Sequence, residues 1–261
     1  MKYMLIFIIL STTLVKANIQ KTSKLAVTHL QNKSGNPIVF GADPDITVVG
    51  KTYWMYPTHQ NGFQDREFYA YSSRDLKHWK KHGPILNYKD VKWIGKDGAP
   101  TRFSWAPGIF QKNGKFYFYF SAGPQYPKAS QIGVAVSDKP DGPFIDSGKA
   151  LYQGQNSGND LFEAIDAMIF EDPDSKKIYL YAGGSAGSPH CRLKVFELNK
   201  DLVSIKKEIK IDQPKNFTEG AFMHKRKGIY YLSYSHGSYN DHTYSTHYST
   251  AKSPLGPWTY R

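Results

Sequence analysis

The chain has 261 residues, of which 15% are aromatic, including 19 tyrosines, and 21% are charged. That balance excludes a disordered chain, which carries few aromatics and a high charge density, and one cysteine, Cys191, excludes an internal disulfide. The net charge of +12 is scattered as lysines over turns and strand ends, with no basic helix or arginine cluster, so it reads as a solvated surface and no nucleic-acid partner is expected.

Lys2 is followed by an apolar run from Tyr3 to Val15 that ends at Val15-Lys16-Ala17. A charged start, an apolar middle and a small residue at the cut read as a secretory signal peptide over residues 1–17, which places the mature protein in a secreted or periplasmic compartment. The run is too short to span a bilayer comfortably, so no stable membrane insertion is expected after cleavage. Residues 18–261 then form the folded domain, beginning with a polar leading arm that carries one strand at its end, Gly35–Phe40.

From there one pattern is written four times. Ala42-Asp43-Pro44-Asp45 and an apolar strand lead through a Gly-Lys turn into an aromatic strand, Thr52–Tyr56. Trp105–Phe110 and Phe116–Phe120, Ile165–Phe170 and Ile178–Tyr181, and Thr218–Met223 and Ile229–Tyr234 repeat it. Aligned on Asp43, Ala106, Asp166 and Glu219, the copies are spaced by 63, 60 and 53 residues. Each copy continues into a third strand, such as Glu67–Ser73, and a short outer one, expected at His78–Lys80, Gly142–Phe144, Leu202–Ile205 and Leu255–Trp258. Short strands, Gly/Pro/Asn/Asp turns and no amphipathic helical window argue an all-β fold. Four-stranded units at this spacing argue a β-propeller with one unit per blade; a sandwich would not need the same acidic start on successive units.

In a propeller the innermost strands converge at one mouth, so Asp43, Asp166 and Glu219 are expected to face a common pocket. Each has a plainer reading as a turn or capping residue, which is weakest for Glu219 and for Asp166, set inside the apolar run Ala164–Ile169. Two carboxyl groups in different environments are what glycoside hydrolysis needs, one protonated to assist the leaving oxygen and one ionised. A third carboxylate nearby would raise the pKa of the acid.

Ala42-Asp43-Pro44, Ser104-Trp105-Ala106-Pro107, Ile165-Asp166-Ala167, Thr218-Glu219-Gly220 and Ser253–Trp258, in this order, resemble glycoside hydrolase family 43, whose members are five-bladed β-propellers. The resemblance runs from about Phe40 to Arg261. It implies that Asp43 is the general base, Glu219 the general acid, and Asp166 the residue that orients Glu219 and raises its pKa. It also implies inversion at the anomeric carbon and substrates containing arabinose, xylose or galactose. A related fructan-acting family carries a Glu-Cys acid motif; here Glu219 precedes Gly220, which argues against that branch. The four units stop at Arg261, where the family continues into a fifth blade, so a chain lacking the last blade is expected. A non-catalytic, carbohydrate-binding propeller is the alternative reading.

Trp105 is a candidate wall under a sugar ring, or else packs in the core. Phe63, Arg66 and Arg102 are expected in loops on the mouth side, in reach of sugar hydroxyls, and His236 at the end of a blade-four strand is a further substrate-binding candidate. His236, His242 and His247 with Asp241 fit no closed zinc pattern. No metal ligand is assigned and no cofactor is required, although the resemblance leaves room for a structural calcium, which prefers oxygen ligands.

Overall fold

The computed structural model describes residues 38–58, 64–124, 126–158, 160–184 and 192–261. The expected signal segment, the leading arm through Pro37, Phe63 and Cys191 lie outside them. The chain divides into two units. Of the described residues, one holds Ile38–Phe40 with Asp75–Trp79, the other those within Gly41–Arg74 and Lys80–Arg261. In the first, Asp75 Oδ1 accepts the N–H groups of Lys77 and His78 at 2.9 and 2.8 Å, closing an Asx turn.

The second unit is four antiparallel sheets. The first sheet comprises β1 (Ala42–Val49), β2 (Thr52–Thr58), β3 (Glu67–Ser73) and β4 (Lys80–Asn87). A 3-10 turn at Tyr88–Asp90 leads to β5 (Phe103–Lys112), β6 (Lys115–Gly123), β7 (Gln131–Ser137), β8 (Ile145–Asp146) and a short β9 (Tyr152–Gln153) on β7. The third sheet is β10 (Met168–Glu171), β11 (Ile178–Ala182), β12 (Lys194–Leu198) and β13 (Ile205–Ile209). The fourth is β14 (Glu219–Arg226), β15 (Ile229–His236), β16 (Ser245–Ala251) and β17 (Thr259–Tyr260). The arrangement is that of propeller blades, with strands in chain order in each sheet. Among the described residues no helix is long and apolar enough to cross a membrane.

Local chemistry explains the units. Asn113-Gly114, with φ of 52° and 76°, joins β5 to β6, and Lys227-Gly228, with φ of 49° and 77°, joins β14 to β15. Two left-handed residues in succession are what a two-residue hairpin turn demands. The outer strands begin later than the sequence suggests. Gly142, Leu202 and Gly256, inside three of those segments, and Leu76, just before the other, have φ between 61° and 88°, which interrupts the run of extended residues that regular pairing needs. The segments read as outer strands are therefore largely turns, and β4, β8, β13 and β17 start at Lys80, Ile145, Ile205 and Thr259.

Three cores lie between successive sheets. Tyr56, Phe68, Phe118 and Phe120 fill the first, Tyr119, Ile132, Phe162, Leu180 and Phe196 the second, and Tyr181, Val195, Tyr230, Leu232 and Tyr234 the third. A tyrosine from the second strand of each of the first three sheets reaches a backbone carbonyl on the following blade. Tyr56 donates to Pro140 at 2.8 Å, Tyr119 to Leu202 at 2.6 Å and Tyr181 to Pro254 at 2.6 Å. The matching position in the fourth sheet, opposite Phe222, is Ser233. Outward of the three cores, Ile46 and Val48 of β1 and Phe222, Tyr248 and Tyr260 of the fourth sheet are exposed.

Candidate active site

The mouth is built from one irregularity used four times. Residues Asp43, Ala106, Asp166 and Gly220 have φ of 47°, 30°, 57° and 68°. In β1, β5 and β14 the register shifts at this point, between Ala42 and Asp45, Trp105 and Gly108, and Glu219 and Phe222. Such a bulge re-aims side chains at the end of a strand. The register differs by one residue from the sequence reading. Gly220, not Glu219, matches Asp43 and Asp166, and Glu219 matches Ala42, Trp105 and Ile165. Acid side chains from two adjacent bulge positions are thereby delivered to one place.

A bulge exposes a backbone N–H that the sheet does not satisfy, and those of the last three blades find a partner on the preceding blade. The Gly220 N–H donates to Asp166 Oδ2 at 2.9 Å. The Asp166 N–H donates to Ser121 Oγ at 3.0 Å, whose hydroxyl donates to the Ala106 carbonyl at 3.3 Å. The Ala106 N–H donates to Thr58 Oγ1 at 2.7 Å, and Thr58 donates to Asp43 Oδ2 at 2.9 Å. One chain of hydrogen bonds thus crosses all four blades, from the residue after Glu219 to Asp43.

Asp43, Asp166 and Glu219 line a cavity of about 390 Å³ with Ala42, Trp105, Ala106, Ile165, Tyr239 and Tyr244, in the range of small-ligand sites. Burial pushes all three carboxyls above the ordinary range. For Asp166, raised the furthest, the charges of Asp43 and Glu219 add to burial and the Gly220 N–H opposes it. For Glu219 burial is reinforced by Asp43 and opposed by the Tyr244 hydroxyl. For Asp43 the Thr58 hydroxyl works against burial. A wider groove of about 660 Å³ along the third sheet is different. Lysines line it, and its buried acid Glu197 is already paired with Lys206 at 2.6 Å.

The sequence pattern of the family named Glycosyl hydrolases family 43 matches residues 34–261. The chain belongs to that family. Among its family 43 relatives is a β-D-galactofuranosidase of Aspergillus niger, 36% identical over 90% of this chain and 68% of that protein. A xylosidase/arabinosidase of Bacteroides ovatus is 29% identical over 84% of this chain and 76% of that one. Among solved structures, a family 43 β-xylosidase/α-arabinofuranosidase from a compost metagenome, in complex with xylotriose, superposes with a TM-score of 0.68 at 28% identity, covering 85% of this chain and 77% of that one. An α-L-arabinofuranosidase of Clostridium thermocellum gives 0.68 at 30% identity, covering 84% and 71%. The protein is a family 43 glycosidase of the β-propeller type.

Within the family 43 mouth, Trp105 faces the cavity and lies flat on Gly123, where a Cβ would stand 2.3 Å from its ring. Arg102 is a correction. It is 2% exposed, and its guanidinium donates to the carbonyls of Ala122, Pro124 and Ala129 and pairs with Asp97, so it is spent inside the second blade rather than turned to the mouth. His236 does not line the cavity either. Its Nδ1 is 3.0 Å from the Asn216 carbonyl and its ring stands beside His247. Among the described residues no group of three or more His, Cys, Asp or Glu is placed to hold a metal.

Sequence reasoning missed Thr58, Tyr239 and Tyr244. The signal was available for the tyrosines: Ser235 pairs with Glu219 across the sheet, so the loop that follows β15 must rise beside the acid.

Proposed function

We propose that this family 43 chain is an inverting, exported glycoside hydrolase acting on arabinose-, xylose- or galactose-containing glycans. The observation that carries the reading is the meeting of Asp43, Asp166 and Glu219 in one aromatic-walled cavity. Asp43 takes a proton from water as the water oxygen attacks the anomeric carbon. The glycosidic C–O bond breaks on the opposite face, and Glu219 gives its proton to the leaving oxygen. Solvent then returns Asp43 to its ionised and Glu219 to its protonated form.

The environments suit these roles. Burial raises both carboxyls; at Glu219 the Asp43 charge adds to it, whereas at Asp43 the Thr58 hydroxyl works against it, a difference in the direction these roles need. Asp166 acts as a positioning residue: its carboxyl holds the backbone N–H next to Glu219. Trp105 supplies an apolar face for a sugar ring. The chemistry needs no cofactor. The sugars follow from the activities by which the relatives are named, and export follows from the charged and apolar residues 1–17.

The deciding experiment is a panel of aryl α-L-arabinofuranoside, β-D-xyloside and β-D-galactofuranoside, with the anomeric configuration of the first-formed product followed by proton NMR. Turnover with inversion is expected. A retained configuration removes the base role of Asp43, and sugar binding without release favours a non-catalytic propeller. N-terminal sequencing of exported protein should begin at Asn18; intact Met1 would refute the signal.

A further inference from the structure

The loop of residues 237–244, between β15 and β16, closes one side of the cavity and is pinned at both ends. The Gly237 N–H donates to Thr218 Oγ1 at 3.2 Å, one residue before the acid. The Ser238 N–H donates to Thr243 Oγ1 at 3.1 Å, and the Thr243 N–H to Asp241 Oδ1 at 2.8 Å. A Cβ on Gly237 would stand 2.3 Å from the Thr243 carbonyl oxygen, so the two ends of the loop touch. What this clamp delivers is Tyr244, whose hydroxyl donates to Glu219 Oε1 at 3.0 Å.

A phenol fixed on one carboxyl oxygen decides which oxygen is free to carry the transferable proton. Its hydrogen bond also strengthens as the carboxyl ionises, because a charged acceptor binds roughly twice as strongly as a neutral one. That gain appears as the proton leaves, so it favours the transition state over the ground state. We propose that Tyr244 is the positioning residue of the general acid: it occupies Oε1 of Glu219, leaves Oε2 to protonate the leaving oxygen, and stabilises the carboxylate left behind. The proposal rests on Glu219 being the acid.

The electrostatics agree in direction. The Tyr244 hydroxyl is what opposes burial at Glu219. Burial, with the Glu219 charge adding to it and Ser235 opposing, pushes the phenol up to about 12, so it remains a donor wherever the enzyme works. Asp43 and Asp166 are the charged groups that act on or feel Glu219, and the Tyr239 phenol lines the same cavity.

The test compares wild type with Tyr244→Phe in two readouts. Carbon NMR titration of the Glu219 carboxyl, assigned with Glu219→Gln, should show its dissociation constant falling about tenfold, the worth of one hydrogen bond to a charged group. Turnover should fall about tenfold or more on phenyl α-L-arabinofuranoside, whose poor leaving group needs the acid, with KM little changed. On 2,4-dinitrophenyl α-L-arabinofuranoside it should hardly move. If the panel selects xylose or galactofuranose, the same pair of that sugar is used. An unchanged titration, or equal losses on both substrates, overturns the proposal. Glu219→Ala on the same pair judges the underlying reading: a loss confined to the phenyl glycoside supports the acid, and equal losses remove both it and the role of Tyr244. Thr243→Val loosens the clamp while keeping the phenol and should shift the titration in the same direction by less. Should Tyr244→Phe not fold, an unshifted Glu219 in Thr243→Val overturns the proposal.

Discussion

The junction between the third and fourth sheets is made differently from the two before it. At the first two, a bulged N–H meets a neutral hydroxyl, Ala106 on Thr58 and Asp166 on Ser121. At the third, the Gly220 N–H meets the carboxyl of Asp166. The position that supplies the hydroxyl is Gly183 in the third sheet, where the N–H of Gly183 bonds the Ile165 carbonyl at 2.9 Å. A side chain cannot stand there, since a Cβ would lie 2.1 Å from the Arg192 carbonyl oxygen. With no hydroxyl available, an ionisable group does the same structural work and couples the fold to the protonation of the mouth. One backbone requirement is met by a neutral group where sheets are only joined and by an acid where chemistry is proposed.

The largest effects should come from the acids themselves. Glu219→Gln and Asp43→Asn are expected to lower turnover on an aryl glycoside by about 10²–10⁴-fold, the usual worth of a general acid or base; full activity in either variant would remove the mechanism. Asp166 separates its two duties. Asp166→Asn keeps an acceptor for the Gly220 N–H, whereas Asp166→Ala leaves this exposed donor to water and should be less stable than Asp166→Asn by about 0.5–1.5 kcal/mol in urea unfolding. Equal stabilities would show that the third junction does not depend on that bond.

The first junction offers the matching test. Thr58→Val strands the Ala106 N–H at a cost of about 1–3 kcal/mol. It also removes the hydroxyl that holds the Asp43 pKa down against burial. Because the base must be ionised, the acidic limb of the pH–rate profile should move to higher pH. Ser121→Ala should cost stability with less movement of that limb, and identical profiles for the two variants would erase the distinction.

Smaller effects come from the outer contacts. Tyr119→Phe, which frees the Leu202 carbonyl, should cost about 0.5–1.5 kcal/mol, while Ser233→Ala, at the matching place in the fourth sheet, should cost less. Asp45 bridges the first two blades, accepting the Ile109 N–H at 2.7 Å, and burial raises its pKa from 3.8 to about 6. A carboxyl raised in the fold binds more protons folded than unfolded. Its stabilising contribution is complete below the unfolded value and is lost as pH rises through the folded one. Asp43, Asp166 and Glu219 act in the same direction. The melting midpoint should therefore fall as pH is raised from about 4 towards 7, less steeply in Asp45→Asn; a rising midpoint in wild type would contradict this account.

The four-unit repeat was legible because strand alternation, Asn113-Gly114 and the aromatic runs of β2, β6 and β15 are local signals. The three acids could be picked out because a carboxylate within an apolar run needs a reason. The bulge register could not be read, since Glu219 and Gly220 are adjacent and either could align with Asp43. Arg102 was misplaced because its partners, the carbonyls of Ala122, Pro124 and Ala129, lie on another strand and loop. The outer strand of the third sheet was placed early because a left-handed Leu202 carries no mark in the sequence, leucine being an ordinary strand residue.

By itself the sequence determined the all-β repeat and the family and singled out the three acids as candidates, because these depend on residue type and on contacts within a hairpin. The tertiary structure alone decided that backbone N–H groups of successive blades link those acids through Thr58 and Ser121, and that Tyr244 caps Glu219. Such contacts join residues 25 to 54 positions apart, and they exist only once the sheets have packed, when each bulged donor must find an acceptor on its neighbour.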